Sequence, residues 1–111
     1  MWAGKSLADW SGQLVEELVR IFEPVEVWLF GSVARGDDGP DSDLDLLVVL
    51  GSYDPAAATN LKQKAASQCL TPVPFDVAFT DEIRFHGRAR IAGTLERAAA
   101  TNGRLLYRRG R

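Results

Sequence analysis

Residues 43–50 read DLDLLVVL, so two aspartates open a run that is otherwise wholly apolar. Side chains at i and i+2 of a strand point to the same face, and Asp43 and Asp45 therefore project together. Carboxylates side by side on a buried strand repel each other and lose hydration. Folding alone gives no reason to keep them. Oxygen ligands of this kind suit Mg²⁺, which would relieve the repulsion and still take ligands from a phosphate substrate.

The residues upstream sharpen that reading. Val25 to Phe30 alternates Val25, Val27 and Leu29 against Glu26, Trp28 and Phe30, which predicts a first strand broken by Gly31-Ser32. A short helical turn over 32–35 and the turn-rich stretch Gly36-Asp37-Asp38-Gly39-Pro40 lead into the second strand, 44–50. Gly31 lets backbone approach a phosphate closely, and the amides that follow it are phosphate donors. Ser32 adds a hydroxyl donor or serves as a helix N-cap. Arg35 either contacts phosphate or ties down the loop through Asp41 or a neighbouring acid.

Around this unit the periodicity predicts helices and one more strand. Leu7, Trp10, Leu14, Leu18 and Ile21 recur at helical spacing, with Ser6 and Asp9 as a capping pair and Pro24 as the stop. Asp54-Pro55 opens a second helix running toward Leu70. A third strand over 75–80 faces Phe75, Val77 and Phe79 one way and Asp76 and Ala78 the other. The connection before it is long enough for a parallel crossover from the second strand. From Asp81 the pattern reads as one helix to about Asn102, with Ile83, Ile91, Leu95 and Ala98 apolar, followed by a short apolar stretch at 105–107. The fold class is α/β (α+β), with a small mixed β-sheet and flanking helices, and 111 residues suit a single domain over 1–111.

Composition removes competing chemistries. One cysteine, Cys69, and one histidine, His86, exclude an intramolecular disulfide and any Cys- or His-cluster metal site, so a metal must sit on carboxylates. No signal-peptide or transmembrane pattern is present, which leads to the expectation of a cytoplasmic protein without a membrane partner. The net charge of -2 hides an asymmetry: residues 1–83 carry 14 acidic and 5 basic side chains, and residues 84–111 carry 8 arginines against one glutamate. The basic segment could meet a triphosphate, a nucleic acid or an acidic partner surface, or offset the acidic remainder of its own domain. With only Phe85 and Tyr107 as aromatics it makes a poor nucleic-acid stacking platform. Trp or Leu exposed on the first helix would allow a homo-oligomer.

GSVARG followed by SDLDLLV, with ten residues between Ser32 and Asp43, resembles the signature of the minimal nucleotidyltransferase (MNT) family. That family belongs to the DNA polymerase β-like nucleotidyltransferase superfamily. FDVAF resembles the strand that carries the superfamily's third carboxylate, which assigns that role to Asp76. The resemblance implies a catalytic and metal-binding set of Asp43, Asp45 and Asp76. It implies nucleotide binding at Gly31, Ser32 and Arg35, two Mg²⁺ ions, and ATP as substrate. It also implies a protein adenylyltransferase acting as the antitoxin of a toxin–antitoxin pair, moving AMP to a tyrosine hydroxyl of a HEPN-domain partner. Two alternatives stand beside it: a non-catalytic antitoxin that occludes its partner, and nucleotide transfer to a small molecule or RNA.

Overall fold

The computed structural model describes residues 4–39 and 42–110. Four strands form one mixed sheet in the order β3-β2-β1-β4, where β1 is Glu26–Phe30, β2 Leu44–Leu50, β3 Phe75–Asp81 and β4 Arg104–Arg108. β1 pairs antiparallel with β2 and with β4, and β2 pairs parallel with β3. The expected crossover thus exists. It is made by a 3₁₀ turn, Pro55–Ala57, capped by Asp54, and by a helix, Ala58–Gln68.

Helix α1, Leu7–Phe22, starts where Ser6 and Asp9 satisfy each other's backbone amides in a capping box. It ends at Glu23, which adopts a left-handed conformation and donates its amide to the Val19 carbonyl. Its apolar stripe, including Leu14 and Leu18, packs on Val27, Leu29, Leu46 and Val48 of the sheet. Trp10 and the leucines of α1 are buried, so this helix does not offer the exposed surface on which a homo-oligomer was expected. Trp2 lies outside the described residues. Helix α2 is Gly31–Arg35, and α3 is Ala58–Gln68, which contributes buried Ala65 to the same core face.

Strand alternation sends the other set of side chains to the opposite face. There Leu47, Val49, Trp28 and Ala78 meet Phe85 and Ala99, with Trp28 stacked on Phe85 at a centroid distance of 5.3 Å. These two partners come from separate helices, α4 (Glu82–Arg88) and α5 (Leu95–Asn102), and not from one continuous helix over 81–102. Gly93, at φ +88°, and Thr94, which caps α5 by accepting the Arg97 amide, break the run. The break also overturns the expected apolar face. Ile83, Ile91 and Leu95 are 86%, 53% and 47% exposed and Ala98 is exposed, whereas Phe85, Glu96 and Ala99 are buried.

Two buried carboxylates hold this arrangement. Glu17 of α1 accepts from the amides of Leu70 and Thr71, at 2.5 and 3.0 Å, and from the Thr71 hydroxyl. It fixes the loop that leads into β3. Glu96 of α5 accepts from the Thr80 hydroxyl at 2.8 Å and meets Arg88 Nε at 3.6 Å. Both glutamates are satisfied inside the protein, the condition under which a buried charge is tolerated. Cys69, half-buried beside Glu17, has its thiol pushed up to about 11, first by burial and then by that carboxylate. The thiol is therefore a packing group. Among the described residues no helix is long and apolar enough to cross a membrane.

Candidate active site

The carboxylates lie where β1 ends and β2 and β3 begin. In the antiparallel register Phe30 stands opposite Asp45, and in the parallel register Asp45 stands opposite Asp76. Phe30, Asp45 and Asp76 thus form one row across three strands. Side chains of that row and of Trp28, Leu47 and Ala78 share the sheet face that α4 and α5 cover. The helices shield the apolar end of that face, and the acidic end stays accessible.

The three acids differ in surroundings. Asp45 is half-buried on the inner strand; Asp76 is exposed on edge strand β3. Asp43 is also exposed and precedes β2, so it is not part of a buried strand as the sequence pattern suggested. The charge conflict is concentrated on Asp45. Burial raises its pKa first, followed by the negative charges of Asp43 and Asp76, with Arg35 offsetting part of the rise. Among the described residues no three acidic, histidine or cysteine side chains are drawn together closely enough to form a ready metal cluster.

Gly31 is fitted to Asp45. Its φ is +80°, and a Cβ built there would overlap Asp45 Oδ2. Both the backbone conformation and the close approach require glycine. Helix α2 starts at this residue with no side chain accepting its first amides, which leaves N–H groups beside the carboxylate. Ser32 is half-buried and donates its hydroxyl to Ser42 Oγ at 3.2 Å. Ser42, to which sequence reasoning gave no role, also accepts the Gly39 amide at 2.8 Å. It therefore ties the turn to the residue before Asp43. The available signal was its position in Ser42-Asp43-Leu44-Asp45, directly against the acid pair. Arg35 is exposed and pairs with Asp37, Nε to Oδ2 at 3.3 Å; Asp41, its other expected partner, lies outside the described residues.

Carboxylates, backbone amides that no side chain accepts and a half-buried acid under repulsion meet at this end of the sheet, a set of groups whose chemistry suits a phosphate chain with its cation. That is the class the fold and site define: a domain that handles nucleotides at the end of a small mixed sheet. A family model described as a nucleotidyltransferase domain matches residues 12–100, and the chain belongs to that family, within the DNA polymerase β-like superfamily. Among solved structures, a protein from Sulfolobus solfataricus provisionally described as a nucleotidyltransferase is 25% identical. Its TM-score is 0.63, over 98% of this chain and 93% of that one. A second structure, described as a toxin–antitoxin with AMP-PNP, is 27% identical with a TM-score of 0.56, over 88% of this chain and 73% of that one. No curated protein matches the chain.

Proposed function

We propose that this protein is a Mg²⁺-dependent adenylyltransferase that moves AMP from ATP to a tyrosine hydroxyl of a HEPN-domain toxin, and so acts as its antitoxin. The observation that carries the reading is the row that sets Asp45 against Gly31 on one side and Asp76 on the other, with Asp43 two residues upstream. Likeness to a structure described as a toxin–antitoxin with AMP-PNP supports both the nucleotide and the partner class. The segment of residues 84–111 is basic, but Ile91 and Leu95 are exposed on its outer face, which favours a protein partner over RNA.

In the proposed reaction the tyrosine hydroxyl gives up its proton to water, its oxygen attacks the α-phosphorus, the bond from that phosphorus to the β-bridging oxygen breaks, and pyrophosphate leaves with the bond's electron pair. Asp43, Asp45 and Asp76 would hold Mg²⁺, which when bound lowers the acceptor hydroxyl's pKa and neutralises the leaving charge. Asp76, on the exposed edge strand, stands beside Asp45 in the register. The amides at Gly31-Ser32 and the Ser32 hydroxyl hold the triphosphate in line, and Ser42 keeps Ser32 in place. Positioning of this kind is the main contribution a protein makes to such transfers.

Incubation with the product of the neighbouring gene and ATP labelled at the α- or the γ-phosphate tests this. Label from α but not γ is expected on a tyrosine, and none with Asp43→Asn/Asp45→Asn. If that variant still neutralises the partner as well as wild type, the protein works by occlusion and the catalytic reading is lost. In the absence of any partner, Mg²⁺ with ATP at a hundredfold excess over Kd should stabilise wild type by ~2.7 kcal/mol. The same variant should show no such gain.

A further inference from the structure

Helix α5 faces two ways. Ala99 and the carboxylate of Glu96 point into the protein, while Leu95, Arg97 and Ala98 point out. The outward side borders a shallow, mainly apolar groove lined by Ala92, Leu95, Arg97, Ala98, Thr101 and Asn102. Ile91 stands exposed on the preceding turn, whose backbone is fixed by the Thr94 hydroxyl donating to the Arg88 and Ile91 carbonyls.

The one charged residue lining the groove is Arg97, which donates to the Ala89 carbonyl at 3.3 Å. Glu96 is the one acid of residues 84–111, and it is 5% exposed and bonded to Thr80. Among the described residues Arg90, Arg97 and Arg104 have no carboxylate within ion-pair distance. Apolar residues with arginines next to them in the chain, none of which pairs with a carboxylate, favour a surface that brings leucine-like side chains and carboxylates together. A second copy in a two-fold contact would set these arginines against themselves, so the charge opposes an isologous dimer.

The groove also leads to the site. α5 packs on α2 and on β1, and its C-terminal Gly103 lies so close to the Leu29 carbonyl that a Cβ would overlap it. Leu29 is two residues before Gly31, and α5 covers the sheet face that carries Asp45. Eight helical residues span about 12 Å. The C-terminal end of α5 therefore lies at the end of β1 that leads into Gly31, and a partner seated along α5 runs toward that end.

We infer that the outer face of α5 is the docking groove for the acceptor protein, taking an acidic amphipathic helix of that partner. This rests on the proposed protein-modifying function but concerns binding, which can be measured without transfer. The probe is the purified product of the neighbouring gene, titrated by fluorescence anisotropy against the full chain. Leu95→Asp and Arg90→Glu/Arg97→Glu should each weaken binding by roughly tenfold or more, with unchanged melting temperature. Arg90→Lys/Arg97→Lys should bind within a few-fold of wild type and keep its salt dependence.

Asp43→Asn/Asp45→Asn should bind normally while losing transfer; binding at the groove with no labelled tyrosine in wild type would refute the catalytic reading and leave the groove standing. Partner modification with affinity unchanged in Leu95→Asp and in the charge reversal overturns the groove. So does no binding by wild type, a self-association that Leu95→Asp abolishes, or a single-stranded RNA that binds there and competes with the partner.

Discussion

Gly31→Ala separates the site's geometry from its stability. Alanine at φ +80° costs about 1–2 kcal/mol from the clash of Cβ with the following carbonyl. Gly36 offers an internal control, because it has the same φ of +80° and terminates α2, yet nothing lies within 4 Å of where its Cβ would go. Gly36→Ala should therefore carry the same backbone strain and no further effect. At ~1 kcal/mol, either variant should melt about 4–8 °C below wild type. At Gly31 the added methyl also meets Asp45 Oδ2, and the carboxylate must retreat from where a nucleotide phosphate would bind. Displacement of a reacting group by about 1 Å costs on the order of a hundredfold in rate. Transfer of α-labelled AMP, measured below the melting transition, should then fall by about that factor in Gly31→Ala and by less than threefold in Gly36→Ala. Equal activity in the two variants would refute the argument that Gly31 exists to let Asp45 and a phosphate share the space.

The raised pKa of Asp45 gives a pH signature without substrate. Because its folded value lies above its unfolded one, the carboxyl favours the fold only while protonated, and that contribution is lost as pH rises through the folded value. Asp45→Asn should thus be more stable than wild type at pH 7, with the advantage vanishing as pH falls toward 4; an advantage independent of pH in urea titrations would contradict the assigned cause. Glu17→Gln keeps the shape but gives up an acceptor oxygen and the charge that serve the loop of Leu70 and Thr71. It should lose about 1.5–3 kcal/mol in chemical denaturation, and Thr71→Val less. A loss below 0.5 kcal/mol would mean that water replaces the carboxylate.

What was legible in the sequence was local. The capping box at Ser6, the bounds of β2 and the acid pair follow from patterns within a dozen residues, and the structure places Asp45, Asp76 and Gly31 together as the motif implied. Pairing of β2 with β3 was legible only as a crossover of sufficient length. The departure of 81–102 from one helix has a specific cause: hydrophobicity alone places Ile91 and Leu95 in the core, and the structure exposes both. The fold instead buries Glu96, whose partners Thr80 and Arg88 belong to other elements. A carboxylate compensated from a distance leaves no periodic trace, and the same holds for Glu17 with Thr71. The break itself did have a signal, Gly93-Thr94 ahead of a run rich in alanine, which is a helix start inside a pattern read as continuous. Exposure of Asp43 was not legible, because alternation says which side a residue faces and not where the strand begins.

The order β3-β2-β1-β4 has a consequence for folding. Every strand of the carboxylate site is complete by residue 81, but the outer edge of β1 is covered only by residues 104–108. Until those residues pair, the edge carrying Val27, Trp28 and Leu29 presents open amides and carbonyls to any neighbouring chain. When β4 arrives, it closes that edge with a short strand bearing Arg104 and Arg108, the latter held to Glu26 at 3.0 Å. A chain in which β1, β2 and β3 have paired but β4 has not is still adhesive along β1, and a five-residue strand closes it.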